Sequence, residues 1–481
     1  MNMFFMNRKG LFISVCICAF FVMFGTKGLY AQSTWSLQKC IDYAMKNNIQ
    51  IKQSELNLEL TKEKVSQNRA AFVPSMNSGV NNFFNFGRTI DQFTNQFVSE
   101  RTLNFNFSVN SSVTLFNGFQ LVNTLKQSQL DYLADQSETE KIRNDISLNI
   151  TAAYLQILFN TELAEMSALQ VENTKVQRVR TVKLYENGAI AKGDLLDMDA
   201  QLASDELLLV NAQNQLSLST LSLAQMLDLP ASDIMVIEKP SVLIPVESMV
   251  GLAAEDIYQM ALKNQPGIQT ANYRTLSASR MVKITQGMRS PRLLLSGSYG
   301  TGYSDQRQRL VGYKQSTQLI GYTADQMPVF AEGGIPIFEK TPFNNQMEDN
   351  INKSIGMICN IPIFNGWSVK TNIHKAKIAM QNASLNEQLV KNELRKSVIQ
   401  AYADAIAGIK KYEANVKKVN ALQEAYTYTE QKFNVGAVNS SDFMLVKTNL
   451  SRAKSDFIQA KYDYLFKIKI LDFYQGKPLS F

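Results

Sequence analysis

The stretch LFNGF (Leu115–Phe119) returns as IFNGW (Ile363–Trp367), 248 residues further on. NGAIAKGDLL (Asn187–Leu196) returns as VGAVNSSDFM (Val435–Met444) at the same offset of 248. Towards the N-terminus, AMKNNIQI (Ala44–Ile51) matches ALKNQPGI (Ala261–Ile268) and Pro74 matches Pro291, both at an offset of 217. The offset changes once, by 31, between Pro291 and Ile363. A unit of roughly 200 residues has therefore been duplicated, and the second copy carries one insertion.

The hydrophobic period changes within each copy. Leu103, Phe105, Phe107, Val109, Val113 and Leu115 alternate with Asn104, Asn106, Ser108, Asn110, Ser112 and Thr114. That is period two, a strand with one apolar and one small-polar face. Met76, Val80, Phe84 and Phe86 mark a less regular partner. In the second copy Leu293, Leu295, Tyr299 and Tyr303 share a face, as do Ile351, Ile355, Met357, Cys359, Ile361 and Ile363. These patterns predict strands at about 76–87, 102–115, 292–303 and 350–363, with the insertion in an exterior loop over 304–346.

Helical spacing holds from Trp35 to Ala71, ending near Pro74. After Gly118, Ile142, Ile146, Ile150, Ala153 and Ile157 form one stripe, and Leu394, Val398, Ala401, Ala405 and Ile409 form its twin. No proline or glycine interrupts Phe119 to Asn187, which predicts a helix of roughly 100 Å. A glycine turn follows, then a returning helix to Leu227, with its twin ending near Tyr474. Each repeat thus reads helix–strand–strand–long helix–helix, over 32–230 and 249–481, joined by a proline-containing linker at 231–248.

Arg8 and Lys9 precede an apolar run from Leu11 to Phe24, the pattern of a cleaved export signal over 1–31. Removing it takes Arg8, Lys9 and Lys27 and lowers the formal net charge from +7 to +4. No Lys/Arg cluster calls for nucleic acid. His374 is the only histidine, and Cys40 and Cys359 are the cysteines left after the signal, so no zinc set and no histidine-based triad is available. No phosphate-binding glycine loop with a lysine is present, and nothing marks a cofactor site or an enzyme. Cys40 begins one helix and Cys359 lies in a strand, a placement that predicts two free thiols.

Four strands with one apolar and one polar face suit a wall between lipid and water. They also suit a soluble two-sided sheet. Four strands cannot close a barrel, and open edges are not tolerated in hydrocarbon, so the membrane reading requires oligomerisation. A helix of roughly 100 Å has no soluble sheet domain to pack on but can prolong a barrel as a tube.

At this point the chain resembles the outer-membrane efflux proteins of the TolC type. The resemblance rests on the duplicated order, on LFNGF and IFNGW where strand meets long helix, and on the tip turns YENGAIAKGDLL and FNVGAVNSSDFM. It covers nearly all of the mature chain. It implies a mainly α fold: a trimer with a twelve-stranded outer-membrane β-barrel continued by a periplasmic α-helical barrel. It further implies a passive exit duct for small molecules or polypeptides, in tripartite efflux or type I secretion. The implied partners are two further copies, a periplasmic adaptor (membrane fusion) protein, an inner-membrane RND or ABC transporter, and outer-membrane lipid. The alternative from another class is a trimeric membrane-anchored coiled-coil scaffold or adhesin.

The resemblance also assigns candidate residues. Asp194, Asp197 and Asp442 would form acidic rings where the pore narrows; helix capping is the structural alternative for aspartates just after a turn. Gly188, Ala189, Ile190, Gly436, Ala437 and Val438 would dock the adaptor tip, and the glycines independently suit a positive-φ turn. Phe116, Phe119, Phe364 and Trp367 would lie at the inner membrane interface, with core packing as the alternative. Val438 and Leu445 depart from relatives that carry polar or charged gate residues at these places.

Overall fold

A computed structural model describes residues 34–90, 95–99, 101–230, 235–240 and 252–479. The expected export signal and most of the expected linker lie outside them. The chain begins with α1 (Leu37–Asn47) and α2 (Ile49–Ala70), followed by β1 (Ser75–Asn85), two short strands β2 (Thr89–Ile90) and β3 (Phe97–Val98), and β4 (Thr102–Phe116). The helical hairpin α3 (Gln120–Glu186) and α4 (Lys192–Met226) completes the first copy. The second copy has α5 (Ala254–Asn264), α6 (Pro266–Gly287), β5 (Arg292–Ser304), β6 (Gln308–Tyr322), β7 (Pro328–Lys340), α7 (Phe343–Asp349) and β8 (Asn352–Asn360). It ends with the hairpin α8 (Ser368–Asn434) and α9 (Ser440–Gln475). Three pairs of twin helices agree in length, with 11 residues for α1 and α5, 22 for α2 and α6, and 67 for α3 and α8; α4 and α9 have 35 and 36.

The single helix expected from Trp35 to Ala71 is broken, and its twin breaks at the matching place. Asn48 adopts φ −60° and ψ 129° between α1 and α2, and Gln265 adopts φ −78° and ψ 119° between α5 and α6. The Asn48 side chain accepts from the N–H groups of Gln50 (2.9 Å) and Ile51 (3.3 Å), capping α2. In the twin, Pro266 opens α6, where its missing N–H costs nothing.

Strands pair antiparallel in the order β1–β4–β5–β8. The duplication is preserved in the register. Ser75 opposes Ser112 in the first hairpin, and the positions 217 and 248 residues on, Arg292 and Asn360, oppose each other in the second. Phe105, Phe107, Val109 and Val113 share a face with Met76, Val80 and Phe84 on one side and Leu295, Met357 and Ile355 further across. Asn77, Asn81, Asn106, Ser108, Asn110, Ser298 and Ser354 line the other face.

Three details depart from the sequence pattern. A bulge at Leu115 places Phe116, not Leu115, opposite Leu293. β8 stops at Asn360, so Ile361 and Ile363 fall outside it; Pro362 has no N–H to continue a ladder. The stretch 304–346, expected as a loop, carries the antiparallel hairpin β6–β7 and the start of α7. α7, just before β8 in the chain, covers the edge of β5 beyond the first β8 residue, Asn352. The Gln346 side-chain oxygen accepts from the Ser304 N–H (3.0 Å), its amide donates to the Ser304 carbonyl (2.9 Å), and Asn350 donates to the Gly302 carbonyl (2.6 Å).

The chain divides into two compact units. Among the described residues, one is made of those within Met1–Leu56, Ser137–Ile268 and Leu389–Phe481, the other of those within Asn57–Gln136 and Gln269–Gln388. In the first, Cys40 and Ala44 of α1 pack with Ile150 and Ile157 of α3 and Leu223 of α4. Their twins Ile257, Ala261, Val398, Ala405 and Leu471 form a second cluster. Burying one such large aliphatic side chain contributes roughly 1.5–3 kcal/mol. Burial pushes the Cys40 thiol up to about 12, whereas Cys359, also free, is exposed on β8.

In the second unit Gly118 (φ +65°) ends the strand-to-helix turn against the end of α6. A Cβ there would lie 2.3 Å from the Gly287 carbonyl oxygen, and one on Gly287 would lie 2.4 Å from that of Gly118. Gly118→Ala should therefore destabilise the protein by about 2 kcal/mol or more, combining left-handed strain with the clash. A thermal midpoint of the detergent-solubilised variant equal to that of the parent would refute this.

Candidate functional site

Two surfaces carry the sequence-predicted residues: the four-stranded sheet with its turns, and the tips of the two helical hairpins. On the sheet, apolar side chains stand in the open, with Met76 73%, Val80 60% and Ile355 84% exposed. Phe105, Phe107, Val109 and Val113 of the central strand are half-buried, so the exposure is greatest on the two outer strands; apolar exposure of this kind marks a lipid- or protein-binding surface. The opposite face is mainly Asn, Ser and Gly, with Phe83, Leu294 and Ile358 among them, and is tied by Ser298–Ser354 (2.7 Å) and Ser75–Ser112 (3.4 Å) hydroxyl contacts. Within this sheet, β1 and β8 are edge strands, each hydrogen-bonded on one side only. Among the described residues, no helix is long and apolar enough to cross a membrane.

Below the sheet, both strand-to-helix turns hold two successive left-handed residues. These are Gly118 and Phe119 (φ +65° and +60°), and Gly366 and Trp367 (φ +60° and +64°). A non-glycine residue in this region costs roughly 1–2 kcal/mol, and here each one is an exposed aromatic. Phe116 meets Phe119 edge-on at 5.5 Å, the Lys370 ammonium lies 4.3 Å from the Trp367 ring, and Phe364 is exposed.

At the tips, α3 and α8 end in the same hydrogen-bonded loop. Ala189 N–H donates to the Leu184 carbonyl and Ala437 N–H to that of Lys432, both at 2.9 Å, around Gly188 (φ +69°) and Gly436 (φ +74°). Ala189 and Ala437 are exposed, while Ile190 and Val438 are half-buried. Asp194 accepts from the Ala191 N–H at 3.2 Å and so closes the start of α4. At the twin, Asn439 takes that part, accepting from the Asp442 N–H at 2.7 Å, which leaves the Asp442 side chain exposed. Asp197 is exposed on α4. No hydrogen bond or ion pair among the described residues links the three aspartates within one chain.

The two hairpins are joined just behind these turns. Met198 of α4 packs with Phe443 and Met444 of α9, and Phe443 stacks on Phe433 at 4.6 Å. Deeper in, the seam between α3 and α4 repeats every seven residues. Asn160, Ser167, Thr174 and Thr181 are buried on α3, and Met198, Asp205, Ala212 and Ser219 on α4. That spacing is coiled-coil packing with small and polar residues at the seam. Lys447 of α9 is buried at the level of Thr174 and Asp205. It was not among the residues expected from the sequence; its signal is a charge between the buried apolar residues Phe443, Met444 and Leu450 of α9.

The fold has known counterparts. Outer membrane efflux protein BepC of Brucella suis biovar 1 (strain 1330) is 21% identical over 450 residues, covering 92% of this chain and 84% of that protein. The solved structure of CusC is similar with a TM-score of 0.74 at 15% identity, over 94% of this chain and 96% of that one. The outer membrane protein VceC of Vibrio cholerae gives 0.73 at 15% identity, over 92% and 96%. The model of the outer membrane efflux protein family matches residues 40–228 and 257–472, one stretch in each repeat, and the chain belongs to that family.

Proposed function

We propose that three copies of the chain join their sheets into a twelve-stranded barrel in the outer membrane, continued by a helical tube in the periplasm. The duct is passive. An inner-membrane RND or ABC pump drives transport of small molecules or polypeptides, and a periplasmic adaptor couples pump to duct. An N-terminal signal exports the chain. The observation that carries this reading is the pair of open edges on a sheet with one mainly apolar face, broken by Ser78, Asn82, Ser111 and Lys353. Backbone groups in hydrocarbon need partners, and an edge on β8 fits an edge on β1 of the next copy. The polar face then becomes the bore, and its Asn and Ser side chains give water a path without fixed charge over most of its length. The tip turns are the adaptor contact, with Asp194, Asp197 and Asp442 as threefold acidic rings at the narrow end. The aromatic residues Phe116, Phe119, Phe364 and Trp367 mark the inner membrane interface.

The duplication itself supplies the register of the seam between copies. Within the chain, Asn106 of β4 opposes Gly302 of β5. Shifted by the repeat offsets of 248 and 217, this pair becomes Ser354 of one copy and Asn85 of the next. In a background without Cys40 and Cys359, Ser354→Cys combined with Asn85→Cys should form oxidised dimers and trimers on a denaturing gel. Monomer alone, from folded protein in outer-membrane vesicles, would remove the closed barrel from the reading.

The acidic rings have their own test. Asp194→Ala with Asp442→Ala should reduce cation preference and enlarge the conductance of the isolated trimer in planar bilayers by about twofold or more. Unchanged conductance would take both aspartates out of the gate and leave them as helix-start residues.

A further inference from the structure

The buried polar cluster behind the tip joins all four long helices. From α9, the Lys447 ammonium donates to Thr174 Oγ1 (2.6 Å) and Gln177 Oε1 (2.9 Å) on α3. Thr174 donates to Asp205 Oδ2 (2.5 Å) on α4, and Gln201 donates to Asp205 Oδ1 (2.8 Å). Gln177 donates to the Tyr426 hydroxyl (3.1 Å) of α8, which donates to Glu430 Oε1 (3.0 Å). Lys447 is 3% exposed and Asp205 2%. The cation touches two neutral oxygens, and its nearest buried carboxylate is reached only through the Thr174 hydroxyl. A buried charge without a directly paired counter-charge prefers water.

This arrangement is not a legacy of the duplication. The twins of Lys447 and Tyr426 are Asp199 and Arg178, at the offset of 248. Those two pair with each other at 2.5 Å on the surface. The other polar bridge between the tips, from Arg180 to Asn434 at 2.5 Å, is exposed.

We propose that Lys447 is a built-in opener of the tip: an ammonium held in the seam between the two hairpins by uncharged acceptors, whose hydration on separation lowers the work needed to part them. The inference rests on the reading of these hairpins as the closed end of a duct. It makes Lys447 a positioning residue for the gate, with no contact to cargo required.

The proton provides a readout that a merely structural lysine would lack. Burial lowers the Lys447 pKa from 10.5 to about 8 in the closed seam. The charged and titratable groups around it are Asp205 from α4, Tyr426 and Glu430 from α8, and Lys454 from its own helix. Burial, then Glu430, pushes Tyr426 up to about 12, above the relevant window. Between the two lysine values a hydrated amine keeps its proton while the buried one has lost it. Rising pH therefore favours the closed seam.

The experiment is single-channel recording of the trimer in planar bilayers from pH 7 to 10. For the parent, open probability should fall by about tenfold between pH 8 and 10. Lys447→Met, which keeps the apolar stem and removes the charge, should open about tenfold less often at pH 7 and show a flat profile. A parent profile that is already flat overturns the proposal and needs no variant. So does a folded Lys447→Met trimer that opens as often as the parent at pH 7. Absence of any channel from the parent would instead count against the duct reading itself.

Discussion

Unpaired backbone at a sheet edge is the constraint from which the architecture follows. Each N–H and C=O of β1 and β8 on the outer side needs a partner, and an apolar sheet face denies it water. The same rule is met inside the chain at smaller scale. Before β8 begins, Gln346 and Asn350 supply side-chain partners for the last residues of β5. Covering one short edge takes a seven-residue helix, α7. The two full-length edges have no such cover among the described residues, and another sheet of the same kind satisfies them with no change of backbone.

Much of this is legible in the amino-acid sequence. Period two in Leu103–Leu115, set against a long helical pattern after Gly118, located both the sheet and the hairpins. The repeats set the order of elements in each copy, while the pairing of the two strand hairpins through β4 and β5 is seen only in the structure. What escaped the periodicity was local chemistry. The breaks at Asn48 and Gln265 lie inside the very segments that reveal the duplication, yet helical spacing continues through them. Only the capping ability of Asn48 and the proline at 266 announce a restart. The bulge at Leu115 escaped because one inserted residue leaves alternation intact on both sides of it. The hairpin β6–β7 was hidden by glycines, which weaken a strand pattern without preventing pairing.

At the tip, sequence reading fared unevenly. Gly188 and Gly436 stand where a left-handed residue is required, and that requirement is local. Asp194 and Asp442 occupy twin positions but do different things, because Asn439 caps one helix and Ala191 cannot cap the other. The buried cluster at Lys447 was not legible, because lysine in a helix defaults to the surface. Its burial depends on which stripe of α9 faces α3, a property of packing between hairpins.

The matched 67-residue helices α3 and α8 fix more than reach. A helix couples length to angle: each residue added or lost advances the axis by about 1.5 Å and turns everything beyond it by about 100°. A single deletion in α3 would thus swing the tip turn out of phase with its twin, whatever residue was removed. Variation in length is consequently confined to places where phase is not transmitted, and the 31-residue insertion lies in one, between two strands of a hairpin. The fold behaves as a pair of gauges cut to the same mark: an exposed substitution along the shaft stays local, whereas a miscount is carried to the tip.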